Sequence, residues 1–182
     1  PIYRWPSQDE VFRDINSWWR TNAEEGVTSV LYGYALGKAQ RMLAGLDPTI
    51  GPILTHGAVE KMTDCYRDAG VALPPTTYAT LATRVDDWSR AIVIAPPSAD
   101  GSSWTRRFGE TRAAFASGWM LVRGARRRRG VDRGFVLSDH VDWPQLLHAI
   151  DATRAESVWV THGFTGPVVQ WLTSRGINAT AI

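Results

Sequence analysis

One cysteine, Cys65, is all that the 182 residues contain. A lone thiol excludes an internal disulfide and a cysteine-built zinc cluster, and it suits a reducing compartment. Apolar runs are short as well: none approaches the ~20 residues that a membrane-spanning helix needs. No charged, apolar and small-residue succession marks a signal peptide. These absences exclude a secreted, disulfide-stapled domain and a membrane partner, and the expectation is a cytoplasmic protein. No internal repeat and no low-complexity segment occurs beyond a single arginine run. An initiator methionine is lacking too. The chain opens on the extended Pro1-Ile2-Tyr3-Arg4-Trp5-Pro6 and reads as a piece of a longer protein.

Net charge is only +2, yet it is spread unevenly. Residues 1–100 carry nine basic and twelve acidic side chains, 101–133 nine and two, and 134–182 two and four. All the cations of the middle segment are arginines, among them Arg106, Arg107 and the run Arg126, Arg127, Arg128 and Arg129. The planar guanidinium suits bidentate phosphate contacts, so a polyanion is one expected partner. Charge alone leaves open a solvated loop that pairs with neighbouring acids. Charge also replaces periodicity between Arg126 and Asp132, the best candidate for a domain boundary.

Apolar residues at 11, 12, 15, 18 and 19 have helical spacing, and Asp9 and Glu10 supply an acidic start. Thr28–Tyr32 reads as a buried strand, Gly33-Tyr34-Ala35 as a turn and Leu36–Leu46 as a helix, the first half of a parallel α/β unit. Pro52–Thr55 is the next short strand, His56-Gly57 its loop and Ala58–Ala69 a helix. Tyr78–Val85 is helical or irregular, and Ala91–Ala95 is the clearest central strand. A short helix is expected from Thr105 to Phe108 and a strand around Gly118–Val122. Strands and helices alternate, so the fold class is α/β, with a mainly parallel sheet flanked by helices. Most of the nine tryptophans are expected in the core, while Trp104 and Trp143 could stack on a base.

The last third holds the chemistry. Phe135-Val136-Leu137 leads into Ser138-Asp139-His140-Val141-Asp142, Pro144–Ile150 reads as a helix, and Val158-Trp159-Val160 leads into Thr161-His162-Gly163. Pro167–Ser174 is a further helix and Asn178–Ile182 a last strand. The spacing predicts that both histidines emerge at the carboxyl ends of adjacent parallel strands, the usual place for a site in such a sheet. A carboxylate beside an imidazole holds its tautomer, which suits His140 as a general acid. Gly163 lets a backbone approach closely, which suits His162 as a metal ligand or phosphate contact. Each could also be a loop histidine. His56 lacks acidic neighbours and reads as structural or surface, His148 as solvated and Cys65 as inert. Ser138 has no glycine-flanked elbow and is no serine nucleophile.

Taken together, Tyr32-Gly33-Tyr34-Ala35-Leu36-Gly37-Lys38-Ala39-Gln40, Ser138–Asp142 and Val160–Gly163 resemble the β-CASP branch of the metallo-β-lactamase-fold nucleases. Pro1–Trp5, Ala95–Ala99 and the arginine run are most similar to bacterial ligase-associated DNA exonucleases, also described as mRNA 3′-end processing factors. The resemblance implies a β-CASP cap over residues 1–129 and a returning C-terminal part of the metallo-β-lactamase domain over 130–182. It implies a metal-dependent nuclease acting on DNA or RNA, with His140 as proton donor, Asp142 as its orienting partner and His162 as a metal ligand. Ser138 and Arg106, Arg107 and Arg126 to Arg129 are the implied phosphate contacts. The family's His-x-His-x-Asp-His motif is absent from this chain. The missing N-terminal half of the same protein is therefore expected to complete a two-zinc site, with manganese as a substitute, and the chain alone is expected to be inactive. A DNA ligase is a further implied partner. Hydrolysis of small phosphoesters on the same fold and a non-catalytic nucleic-acid-binding module are the alternatives.

Overall fold

Ser7 starts the first helix. Its hydroxyl accepts from the Glu10 amide, and the Glu10 carboxylate accepts from the Ser7 backbone and hydroxyl, a complete capping box. These hydrogen bonds hold the Glu10 pKa below its ordinary value. In the computed structural model, which describes residues 3–80, 88–122 and 130–182, α1 runs over Gln8–Glu24. It extends the expected 11–19 stretch at both ends because the cap sets its start at Ser7 and the buried Asn22 and Ala23 continue its inward face. Val11, Phe12, Ile15, Trp18, Trp19 and Ala23 face inward at helical spacing.

The α/β alternation continues as β1 (Thr28–Tyr32), α2 (Lys38–Ala44), β2 (Ile53–Thr55), α3 (Gly57–Asp68), β3 (Thr77–Tyr78), β4 (Ile92–Ala95), α4 (Ser103–Arg106), β5 (Thr111–Ala116) and β6 (Arg133–Phe135). Six strands form one sheet in the order β3-β2-β4-β1-β5-β6, and every pairing is parallel. β1 and β4 lie at its centre and every residue of both is buried, as a strand covered on two faces requires. Successive side chains alternate between two cores. Leu31, Ile92 and Ile94 pack with Ile15, Trp19, Met42 and Leu43 on one face; Val30, Tyr32 and Val93 pack with Trp88, Phe108 and Phe115 on the other.

Gly45 follows α2 where α1 crosses close by. A Cβ at Gly45 would overlap the buried Phe12 ring. Gly45→Ala should therefore cost about 1–3 kcal/mol of stability, the usual range for overpacking, measured by denaturant unfolding. A neutral result would mean that α1 and the α2 terminus do not approach so closely.

The strand expected around Gly118–Val122 is not one. β5 ends at Ala116, the Ser117 hydroxyl accepts from the Trp119 amide, and Gly118–Leu121 forms a 3-10 turn. Trp119 is consequently exposed. Of the nine tryptophans only Trp18, Trp19 and Trp88 are buried, which corrects the expectation that most lie in the core. Tyr78 belongs to β3, whereas residues 81–85 of the ambiguous stretch lie outside the described residues, as do Arg126, Arg127, Arg128 and Arg129.

The chain divides into two compact units, Trp5–Asp139 and Pro1–Arg4 with His140–Ile182. The division falls past residue 129 because β6 pairs with β5, with Phe115 opposite Gly134, so the six-stranded sheet holds the chain beyond the basic run. In the second unit α5 (Trp143–Thr153), β7 (Ser157–Val160), α6 (Thr165–Thr173) and β8 (Asn178–Ala181) follow in turn, and β7 and β8 pair in parallel as a sheet of two. Thus β6 belongs to the six-stranded sheet and β7 to this sheet of two. The expected placement of His140 and His162 on adjacent strands fails, since each follows a strand of a different sheet.

Candidate functional site

Beyond Phe135 the chain leaves the β6 ladder and runs through Val136 and the buried Leu137 toward His140. Side chains of α2 hold this stretch. Lys38, whose side chain is only 4% exposed, donates from Nζ to the Leu137 carbonyl at 2.7 Å and pairs with the Asp139 carboxylate at 2.7 Å. One turn later, Arg41 donates to the Ser138 carbonyl, lies 3.6 Å from Asp139, and donates through Nε and Nη2 to Gln8 Oε1 at 3.0 and 2.9 Å. Burial pushes the Lys38 pKa below its ordinary value, against the opposing pull of Asp139. The segment also meets Gly118, where a Cβ would come within 2.9 Å of Ser138 Cβ.

The Gly37–Arg41 sequence explains why α2 can do this. Gly37 has a φ of +79°, a conformation that favours glycine. Its amide donates to Gln40 Oε1 at 2.8 Å, and Gln40 Nε2 donates to the Ala35 carbonyl at 3.1 Å and to Thr63 Oγ1 of α3 at 3.2 Å. Ala39, Met42 and Leu43 are fully buried beneath. Nothing in the local pattern announced Lys38 and Arg41 as site residues, since their partners lie about a hundred positions away.

Both carboxylates beside His140 have structural duties. Asp139 answers Lys38. Asp142 is the N-cap of α5: its Oδ1 accepts from the Gln145 amide at 2.9 Å, and Gln145 Oε1 accepts from the Asp142 amide at 3.1 Å. His140 itself is exposed. His162, also exposed, has a φ of +64° and is followed by Gly163 at +65°. A left-handed residue with a Cβ costs roughly 1–2 kcal/mol, so the turn after β7 holds His162 in a strained conformation.

Arg106 is exposed and donates to the Gly101 carbonyl at 3.0 Å. Arg107 is turned inward. Its Nε donates to the Trp104 carbonyl at 2.9 Å, and its guanidinium lies over the Trp104 and Phe108 rings, with burial holding its pKa down. Trp104 is engaged by His56, Phe108 and Arg107, while Trp143 meets Trp171 edge to face. His148 is exposed on α5, and Cys65 is exposed on α3.

Among the described residues, no three His, Cys, Asp or Glu side chains gather to hold a metal ion. Asp139 is committed to Lys38 and an oxygen of Asp142 to a helix cap, so neither adds to the one zinc ligand, His162, that the resemblance implies for this chain. His162 offers one donor. No helix of the described residues is long and apolar enough to cross a membrane.

His56 has a role of its own. Its Nδ1 accepts from the Ala58 amide at 3.1 Å, capping α3, and its ring meets Trp104 edge to face. Burial, helped by the Arg107 charge, lowers its pKa from 6.5. Below about pH 6.5 the unfolded chain binds a proton that the folded chain refuses, so stability falls with pH until the native imidazole also protonates. His56→Asn keeps a capping acceptor and removes this titration. Its urea midpoint should decline less than that of wild type between pH 7.5 and 5; equal declines would remove His56 from the account.

No family model matches the chain. It aligns over its full length, at 37% identity, with a protein of Opitutus terrae named "Probable DNA ligase". It spans 18% of that protein.

Proposed function

We propose that the protein carrying this chain is a nuclease that hydrolyses phosphodiester bonds of DNA. The observation that carries the reading is the full-length alignment with a protein named for an enzyme of DNA. The likeness of the same residues to ligase-associated nucleases points to the same polymer, and so favours DNA over RNA. His140 is the proton donor to the departing oxygen, and Asp142 anchors the helix that begins just after it. Arg106 and the run Arg126 to Arg129 bind phosphates, giving affinity that falls with salt and ignores sequence. Zinc, with manganese as a substitute, is the metal that the resemblance brings to such a reaction, and His162 is the donor this chain offers.

The basic segment sets this reading apart from a small-ester hydrolase. Cleavage by the full-length protein should rise steeply from a dinucleotide to single-stranded DNA of about twenty nucleotides, a length spanning several phosphate contacts. A rate indifferent to length would favour small phosphoesters.

A further inference from the structure

A lysine ammonium is an expensive group to bury. Replacing a buried ion pair by packed apolar side chains is often neutral or stabilising, so stability alone gives little reason to keep one. Lys38 is nonetheless buried at the end of the sheet, and both of its bonds reach one short segment, the Leu137 carbonyl and the Asp139 carboxylate. Arg41 takes the carbonyl between them, that of Ser138. Three consecutive residues are thus held by two side chains one turn apart on α2, in the stretch where the β6 ladder has ended. The next residue in the chain is His140.

We propose that Lys38, with Arg41 and the counter-ion Asp139, is a positioning residue that fixes the backbone from which His140 is presented. This rests on the reading of His140 as the proton donor. The support is rigid: α2 is bound to α3 through Gln40 and seated on Ala39, Met42 and Leu43. Gly118 also lies against the segment, where a Cβ would come within 2.9 Å of Ser138 Cβ. A group that transfers a proton must be held to within a fraction of an ångström, and a fixed carbonyl and carboxylate directly before it serve that need. Lysine and arginine divide the task by geometry. The compact ammonium fits the buried corner, and the longer guanidinium spans from Ser138 to Gln8.

The test uses the full-length protein and two readouts. Lys38→Met should lower kcat for single-stranded DNA roughly a hundredfold, the scale of a one-ångström misplacement, with KM unchanged. In a His140→Ala background the same change should cost nothing further, because residues that act through one another are not additive. Equal losses in both backgrounds would overturn the proposal. Amide exchange gives the second readout, independent of cleavage. The peptide covering 137–140 should exchange faster in Lys38→Met and in the milder Arg41→Gln, while Ile92–Ala95 stays protected. Unchanged exchange at 137–140, or an equal rise in both regions, would overturn it. Should wild type cleave no nucleic acid, the nuclease reading fails, and the exchange result still decides whether the clamp exists.

Discussion

Trp19→Ala should lower the unfolding free energy by about 3–5 kcal/mol, the range for truncating a large buried aromatic. Trp19 is fully buried among Ile15, Leu43 and the strand residues Ile92 and Ile94, where α1 packs on the sheet. Its Nε1 donates to the Arg90 carbonyl at 3.0 Å, two residues before β4 begins. The substitution therefore opens a cavity, loses that bond and loosens the helix from the central strands at once. Trp159→Ala is the matched control. That indole is 74% exposed in the other unit, and its loss should cost within about 0.5 kcal/mol, as for surface sites generally. Denaturant midpoints of the two variants give the comparison. Similar losses would mean that α1 does not cover the sheet as described.

His140→Ala should lower kcat of the full-length protein by roughly 10²–10⁴, the usual contribution of a positioned general acid. His148→Ala, an exposed change on the helix that follows, should leave the rate intact. If the two variants behave alike, the imidazole at 140 is a loop histidine and the proton comes from elsewhere.

The parallel sheet was legible in the sequence because its central strands are continuous apolar runs, each followed by a turn and a helix. Val30-Leu31-Tyr32 and Ile92–Ala95 could hardly sit anywhere but between two layers. Strand partners were not legible. β6 is the short, partly charged Arg133-Gly134-Phe135, and its choice of β5 depends on pairing across the basic segment that no local pattern records. Hence the two histidine loops were expected side by side and lie after strands of separate sheets. The Gly118–Leu121 turn shows the limit of hydrophobicity as a guide, since Trp119 and Leu121 are apolar yet exposed.

The carboxylates flanking His140 are instructive for another reason. Asp139 and Asp142 look equivalent beside an imidazole, but the glutamine three residues after Asp142 completes a capping-box pattern that was readable in advance. The duty of Asp139 was not readable, because Lys38 lies in a different βα unit about a hundred residues away. Helix caps are local and can be read from spacing. Ion pairs that tie one end of a sheet together are products of topology.

The most direct test of the nuclease reading is cleavage of end-labelled single-stranded DNA and RNA by the full-length protein, with zinc or manganese added, beside its His140→Ala variant. Shortened DNA with wild type, slower or absent RNA cleavage, and loss of DNA cleavage in the variant are the expected result. Equal cleavage by wild type and variant, or no cleavage of either polymer with either metal, would contradict it.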